Sequence, residues 1–220
     1  RDLGYIDGRN VVIEHFSAPS IAELPQLAAR AVASRPDVIV GANTPAPLAA
    51  KAQTSTIPIV FVNLGDPVGV GLVASMSRPG GNVTGASNGS LLVVGKQLDF
   101  MKEILPSLSR VALLVLPDDS ITAPATDAAR AAGQRLGIEI IAFEARSEAD
   151  LAPAFASAAA SGAQAVRIGS GGFFQPFADR IAEFGLRHRL PVVGNQVMVA
   201  AGAFLSYLGN APAVYRRGAY

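Results

Sequence analysis

Short apolar runs of strand length recur along this chain, with stretches of helical periodicity between them. Asp37-Val-Ile-Val-Gly-Ala42, Pro58-Ile-Val-Phe-Val62, Arg110-Val-Ala-Leu-Leu-Val-Leu116, Gln164-Ala-Val-Arg-Ile168 and Pro191-Val-Val193 are continuous and do not alternate with polar residues. A strand of that kind has both faces covered, and crossover helices are what cover it. Strands alternating with helices argue parallel sheets flanked by helices on both sides, an α/β class.

The intervening segments carry helix punctuation. Ser20 to Ser34 places Ile21, Leu24, Leu27, Ala28, Ala31 and Val32 at helical spacing, and Pro36 ends it. Asn43-Thr44 opens a short helix through Gln53, and Gly69 to Met76 reads as another, closed by Arg78-Pro-Gly-Gly81. Leu91 to Leu105 stops at Pro106, and Ile121 to Leu136 stops at Gly137. Ser147 caps a helix through Ala160, with Glu148 and Asp150 in its first turn. Phe174 to His188 is the next helix. Val11 to Phe16, Val83 to Gly85, Ile138 to Phe143 and Ala203 to Tyr207 complete the expected strands.

The alternation pauses between Gly80 and Gly95, where Gly, Asn, Ser and Thr gather between apolar segments. That pause marks a change of domain between two similar α/β halves. The expected division is 1–87 plus 208–220 for lobe one and 88–207 for lobe two, with the chain crossing at Ser87-Asn88 and returning at Tyr207-Leu208. The chain order begins with what should be the neighbour of a central first strand. Leu3-Gly4 reads as the end of a helix that has only three residues before it. Ala213 to Tyr220 reads as a helix cut short. The expectation is a chain truncated at both ends, so the absence of a signal peptide says nothing about export.

Composition excludes several functions. Net charge is +1 with 16% charged residues, and no basic stripe of the nucleic-acid-binding kind is present. No unbroken apolar run reaches the roughly 18 residues of a membrane span. Cys is absent, which removes disulfide frameworks and thiolate metal sites. His15 lies in an expected strand and His188 at a helix end, with no metal-ligand spacing around either. No metal, cofactor or catalytic residue is expected. Gly169-Ser-Gly-Gly172 lacks the Lys of a Walker loop and the full dinucleotide fingerprint. Ser170 has no nucleophile elbow.

Ligands of open parallel sheets sit beyond the carboxyl ends of the strands. The loops there hold Asn43-Thr44, Asn63-Leu-Gly-Asp66, Ser87-Asn88, Pro117-Asp-Asp-Ser120, Gly169 to Phe174, Gly194-Asn-Gln196 and Tyr207. Neutral hydrogen-bonders with a few acids and aromatics suit a small ligand that is part polar and part apolar. Asn43-Thr44 at a helix start offers backbone N–H groups for a carboxylate, or is plain capping. Asp66, in a Gly-Asp-Pro turn, either bonds its own backbone or pairs with a ligand ammonium. Of Phe173 and Phe174, one belongs in the core and the other can stack on a ligand ring.

Pro58 to Leu72, with Thr56-Ile57 before it and Arg78-Pro-Gly-Gly-Asn-Val-Thr-Gly85 after it, resembles the solute-binding subunits of ABC importers. The resemblance is to the subfamily often described as binding tryptophan or tyrosine. Leu3 to Asn10, Arg35 to Val40, Ala42 to Ala46, Arg187 to Pro191 and Leu205 to Tyr207 extend it over nearly the whole chain. It implies a type I periplasmic-binding-protein fold, two Rossmann-like lobes closing on a cleft ligand, and no enzymatic activity. It implies Asn43, Thr44, Asp66 and Ser87 facing the cleft from lobe one. From lobe two come Asp118, Ser120, Ser170, Asn195 and Gln196, with Phe173 counted among the ligand contacts. The ligand expected is an amino acid with an apolar or aromatic side chain, its carboxylate on helix-start N–H groups and its ammonium on Asp66 or Asp118. The implied partner is a membrane permease, with no nucleic acid and no membrane insertion. The implied location is periplasmic or lipid-anchored outside the cytoplasm. The effector-binding part of a transcription regulator shares the fold and is the alternative. A Rossmann-type enzyme is a third reading, disfavoured by the missing fingerprint.

Overall fold

The computed structural model describes residues 4–18, 20–169, 171–207 and 211–218. Elements run in the order α1 (Leu24–Ala33), β1 (Ile39–Ala42), α2 (Pro45–Gln53), β2 (Ile59–Leu64), β3 (Val83–Ser87), α3 (Val94–Ile104), β4 (Arg110–Val115), α4 (Thr122–Leu136) and β5 (Glu139–Glu144). They continue as α5 (Leu151–Ala160), β6 (Ala165–Ile168), α6 (Gly171–Phe174), α7 (Ala178–Arg187), β7 (Val192–Gly194), α8 (Gln196–Ala200), β8 (Leu205–Ser206) and α9 (Ala211–Gly218).

Two separate parallel sheets form, in the orders β1-β2-β3 and β5-β4-β6-β7-β8. Val60 and Leu113 therefore lie in different sheets. In the larger sheet the strand order reverses between β4 and β6, so the loops after those strands diverge and leave a crevice. The first sheet packs through Ile59, Phe61, Leu64, Leu72, Val73 and Val83. In the larger sheet Ala112, Leu114, Val166 and Ile168 face one helical layer. Val111, Ala165 and Val193 face the other with Leu98 and Met101 of α3. The chain leaves the first sheet through β3, builds the larger one, and returns as α9 against β2 and β3.

Helix ends follow their chemistry. Gly137 takes a left-handed conformation (φ 66°) after α4, and the next N–H donates back to the Gly133 carbonyl. Ser147 and Asp150 form a reciprocal capping box ahead of α5.

Two expected elements do not form. Val11 to Phe16 is mostly exposed and irregular, with a single bridge between Asp7 and Val11 and no ladder. β-branched residues favour a strand only where another strand pairs with them, and none among the described residues does. Gly69 to Met76 is a series of turns: Gly71 sits at φ 71°, and the N–H groups of Leu72 and Val73 both reach the Pro67 carbonyl. A left-handed residue at that point halts helix propagation. Conversely, α8 was not expected. Asn195 caps it by accepting a hydrogen bond from the Met198 N–H at 3.1 Å.

Candidate ligand cleft

Between the two sheets lies a cavity of ≈ 260 Å³. The first sheet contributes Asn43, Thr44, Asn63 and Gly65 from the ends of β1 and β2. The larger sheet contributes Asp119 after β4, Arg167 to Gly169 of β6 and its loop, Gly172 of α6, and Gly194 to Val197 after β7. Asn88, Ser90 and Leu91 of the crossover, and Gln97 of α3, close it. The volume lies just below the roughly 300–1,000 Å³ of drug-sized sites, so the occupant is small.

The first-sheet wall is neutral and internally bonded. Asn43 and Asn63 both sit at φ 60°, a region Asn tolerates better than most side chains. Asn63 Nδ2 donates to Asn43 Oδ1 at 3.1 Å, and Asn88 Nδ2 donates to Asn63 Oδ1 at 3.0 Å. Asn88 Oδ1 accepts from the Ser90 N–H at 2.9 Å. These bonds orient three carboxamides in series, from the tip of the first sheet to the crossover.

The floor is charged. Arg167 occupies the middle of β6, paired in register with Leu113 and Val193, both fully buried. It is 5% exposed. Its Nε donates to Gln97 Oε1 at 2.7 Å, and Gln97 Nε2 donates to the Tyr207 carbonyl at 3.0 Å. Its Nη1 is buried and finds no hydrogen-bond partner among the described residues. No carboxylate among them forms an ion pair with it. Burial lowers its pKa to about 10, so it stays protonated at neutral pH. An unpaired buried cation costs several kcal/mol, which makes this an unusual choice for a strand interior. Asp119 is half-buried on the same cavity. Burial raises its pKa, and the hydrogen bond from the Ile121 N–H partly offsets that. Thr44, Gln97 and Arg167, three buried polar side chains, all line the cavity; Thr126 is buried elsewhere and bonds the Thr122 carbonyl.

The structure brings Asn43, Thr44, Asn195 and Gln196 together at the cavity. Others of the expected contacts lie off it. Asp66 bends onto its own turn, accepting from the Gly69 N–H at 2.8 Å. Ser87 Oγ donates to the Leu64 carbonyl at 2.7 Å and anchors the crossover. Asp118 is exposed and ion-pairs with Arg146 at 3.5 Å. Ser120 is exposed, one residue from Asp119. Phe173 packs edge-on against Phe174 and Phe177 at the rim of the core. Ser170 lies outside the described residues.

The expected carboxylate site at the start of α2 also weakens. Thr44 is the N-cap, makes no side-chain cap bond, and is followed by Pro45 and Pro47. Two of the first three helical residues thus have no N–H to donate. Sequence reading passed over Arg167, and from the loop Pro117 to Ser120 it singled out Asp118 and Ser120 where Asp119 is the residue that lines the cavity. The available signal was a lone arginine inside Ala165-Val-Arg-Ile168, a run otherwise apolar on both faces.

Two glycines bring the opposing walls into contact. A Cβ at Gly172 would stand 2.7 Å from the Asn43 carboxamide carbon. One at Gly65 would stand 2.5 Å from Ser90 Oγ and 3.5 Å from Ile121.

The family model described as ABC transporter substrate binding protein matches residues 1–212. A conserved domain protein from Vibrio cholerae O1 biovar eltor superposes with a TM-score of 0.88 at 28% identity, over 99% of this chain and 72% of that one. The ABC domain in complex with L-Trp from Streptococcus pneumonia superposes with a TM-score of 0.81 at 20% identity, over 90% of this chain and 69% of that one. A tyrosine-binding protein of Clostridioides difficile is 35% identical over 114 residues, which is 51% of this chain and 32% of that protein. The aligned part thus spans about a third of that relative.

Proposed function

Since the chain belongs to the ABC transporter substrate-binding protein family, with the type I periplasmic-binding-protein fold, we propose that it is the solute-binding subunit of an importer. In this reading it captures an amino acid with an apolar or aromatic side chain between two lobes and delivers it to a membrane permease from outside the cytoplasm. The lobes are 1–87 with 208–220, and 88–207. The observation that carries the reading is the cavity itself, lined from both sheets by oriented carboxamides over a charged floor.

Binding without chemistry suits such a lining. Among the described residues no cluster of His, Cys, Asp or Glu is suited to hold a metal, and neither His lines the cavity. No helix among them is long and apolar enough to cross a membrane. Tyrosine and L-Trp in the names of two relatives support an amino acid as the solute. Asp119, half-buried on the cavity, takes the place proposed from sequence for Asp66 or Asp118 as the ammonium contact. A ligand touching both walls favours the closed form by its contacts with that form alone.

Thermal-shift screening tests the reading. Some of the L-amino acids should raise the melting temperature, while nucleotides and sugars leave it unchanged. Stabilisation by sugars alone would sink the assignment.

A further inference from the structure

Among the described residues Arg167 is the one buried charged side chain that lines the cavity, and its chemistry is unfinished. Its Nε is taken by Gln97, whereas Nη1 is buried without a partner. Asp119 shares the cavity but is not ion-paired with it; its carboxylate receives the Ile121 N–H. The start of α2, the other feature suited to an anion, has lost two N–H donors to Pro45 and Pro47. We propose that Arg167 is the anchor for a carboxylate on the ligand, and that this carboxylate is the ligand's obligatory group.

The inference rests on the cleft being the ligand site and sharpens what the site selects. A planar guanidinium offers its N–H groups in a fork that matches a carboxylate. With Nε turned toward Gln97, the remaining donors define the direction from which the acid approaches. Gln97 in turn donates to the Tyr207 carbonyl, next to the proposed return crossing between lobes. Tyr207 also packs edge-on against Phe100 of α3, ring centroids 5.0 Å apart. The anchor is thus held from α3 and from the segment leading to the crossing, while the carboxamides of Asn43, Asn63 and Asn88 face the rest of the ligand. Those carboxamides carry no net charge, so they cannot substitute for the missing counter-ion. Selection is accordingly for the acid first, with the opposite wall reading what the acid carries.

The experiment uses isothermal titration of the purified chain with three sets of probes. They are L-amino acids, the C-terminal amides of the same amino acids, and acids without an ammonium, benzoate and 3-phenylpropionate. For the best-binding amino acid, amidation should weaken binding about a hundredfold or more, as when one partner of a buried charge pair is removed. In Arg167→Met, acid and amide should bind within about threefold of each other, because the discriminating cation is gone. Arg167→Lys, which keeps the charge and loses the fork, should fall between them. Equal binding of acid and amide by the unsubstituted protein would overturn the anchor and leave the amino-acid reading intact. Binding of benzoate or 3-phenylpropionate, but of no amino acid, would remove the amino-acid reading and uphold the anchor, provided Arg167→Met abolishes it. Failure of every carboxylate would overturn both. The acid-versus-amide comparison needs no variant, so it stands even if a substitution at Arg167 impairs folding.

Discussion

The two walls of the cleft are built on opposite principles. On the first-sheet side, Asn43, Asn63 and Asn88 satisfy one another in sequence, and every link is neutral. On the larger-sheet side, Arg167 and Asp119 bring charge into a desolvated place, and the Arg167 Nη1 has no partner among the described residues. A neutral, self-bonded wall contributes to stability and keeps its shape when empty. A charged, underbonded floor costs stability and recovers that cost only through a ligand. The floor should therefore dominate affinity, and the carboxamide wall should dominate fit and closure.

The largest expected effect separates the walls by the sign of a stability change. Burial lowers the Arg167 pKa to about 10, which is the mark of a desolvated cation held in the folded chain at a cost on the order of several kcal/mol. Arg167→Met should stabilise the empty protein by an amount of that order. For the unsubstituted protein the penalty is present in full below pH 10, since both folded and unfolded forms are then protonated. It fades as pH rises above the folded pKa, where the folded chain gives up a proton that the unfolded chain still holds. The gain on substitution should thus stay level from neutral pH to about pH 9. Asn63→Gly keeps the φ 60° backbone accessible and deletes two side-chain hydrogen bonds. It should destabilise the empty protein by about 1–2 kcal/mol. Urea denaturation of both variants without ligand decides the matter, and equal signs would break the contrast.

A smaller effect concerns where the walls touch. The absence of a Cβ at Gly172 lets the Asn43 carboxamide approach α6, and a methyl placed there would meet it at 2.7 Å. Gly172→Ala should therefore hinder closure and lower affinity about tenfold, with folding stability nearly unchanged. Pairing it with Asn43→Gly, which removes the obstructing carboxamide, should recover part of the loss beyond additivity. Titration calorimetry over the four proteins measures that coupling. Strict additivity would mean that Gly172 and Asn43 do not limit closure.

The contrast also explains what could be read from the sequence. Buried parallel strands such as Val111 to Val115 announce themselves, because both faces need apolar cover. That Asn43, Thr44, Asn195 and Gln196 line the cavity was legible from position alone, since they follow strand ends. Val11 to Phe16 misled because strand propensity says nothing about whether a partner strand pairs with it. That Asp119 and not Asp118 lines the cavity was hidden for a different reason. The two acids are neighbours, and which one faces inward depends on the local turn, where the Asp119 N–H donates to the Leu116 carbonyl and Asp118 pairs with Arg146. Arg167 was passed over as part of a core strand, although a lone cation in a run covered on both faces is itself a sign of a site.

The smallest effect is expected at Asp66, the residue that the sequence alone placed first for an ammonium contact. Its Oδ1 accepts the Gly69 N–H at 2.8 Å, and a Cβ on Gly69 would stand 2.0 Å from Oδ2, so the loop is wrapped tightly around this carboxylate. It does not line the cavity. Asn in the same turn can accept the same N–H. Asp66→Asn should accordingly leave affinity within about twofold and cost less than about 1 kcal/mol of stability, the difference between a charged and a neutral acceptor at a half-exposed turn. Titration calorimetry on the folded variant measures this directly. A tenfold or greater loss would move the ammonium contact from Asp119 in the larger-sheet floor to Asp66 beside the first-sheet wall. The first-sheet wall would then carry charge when the ligand is bound.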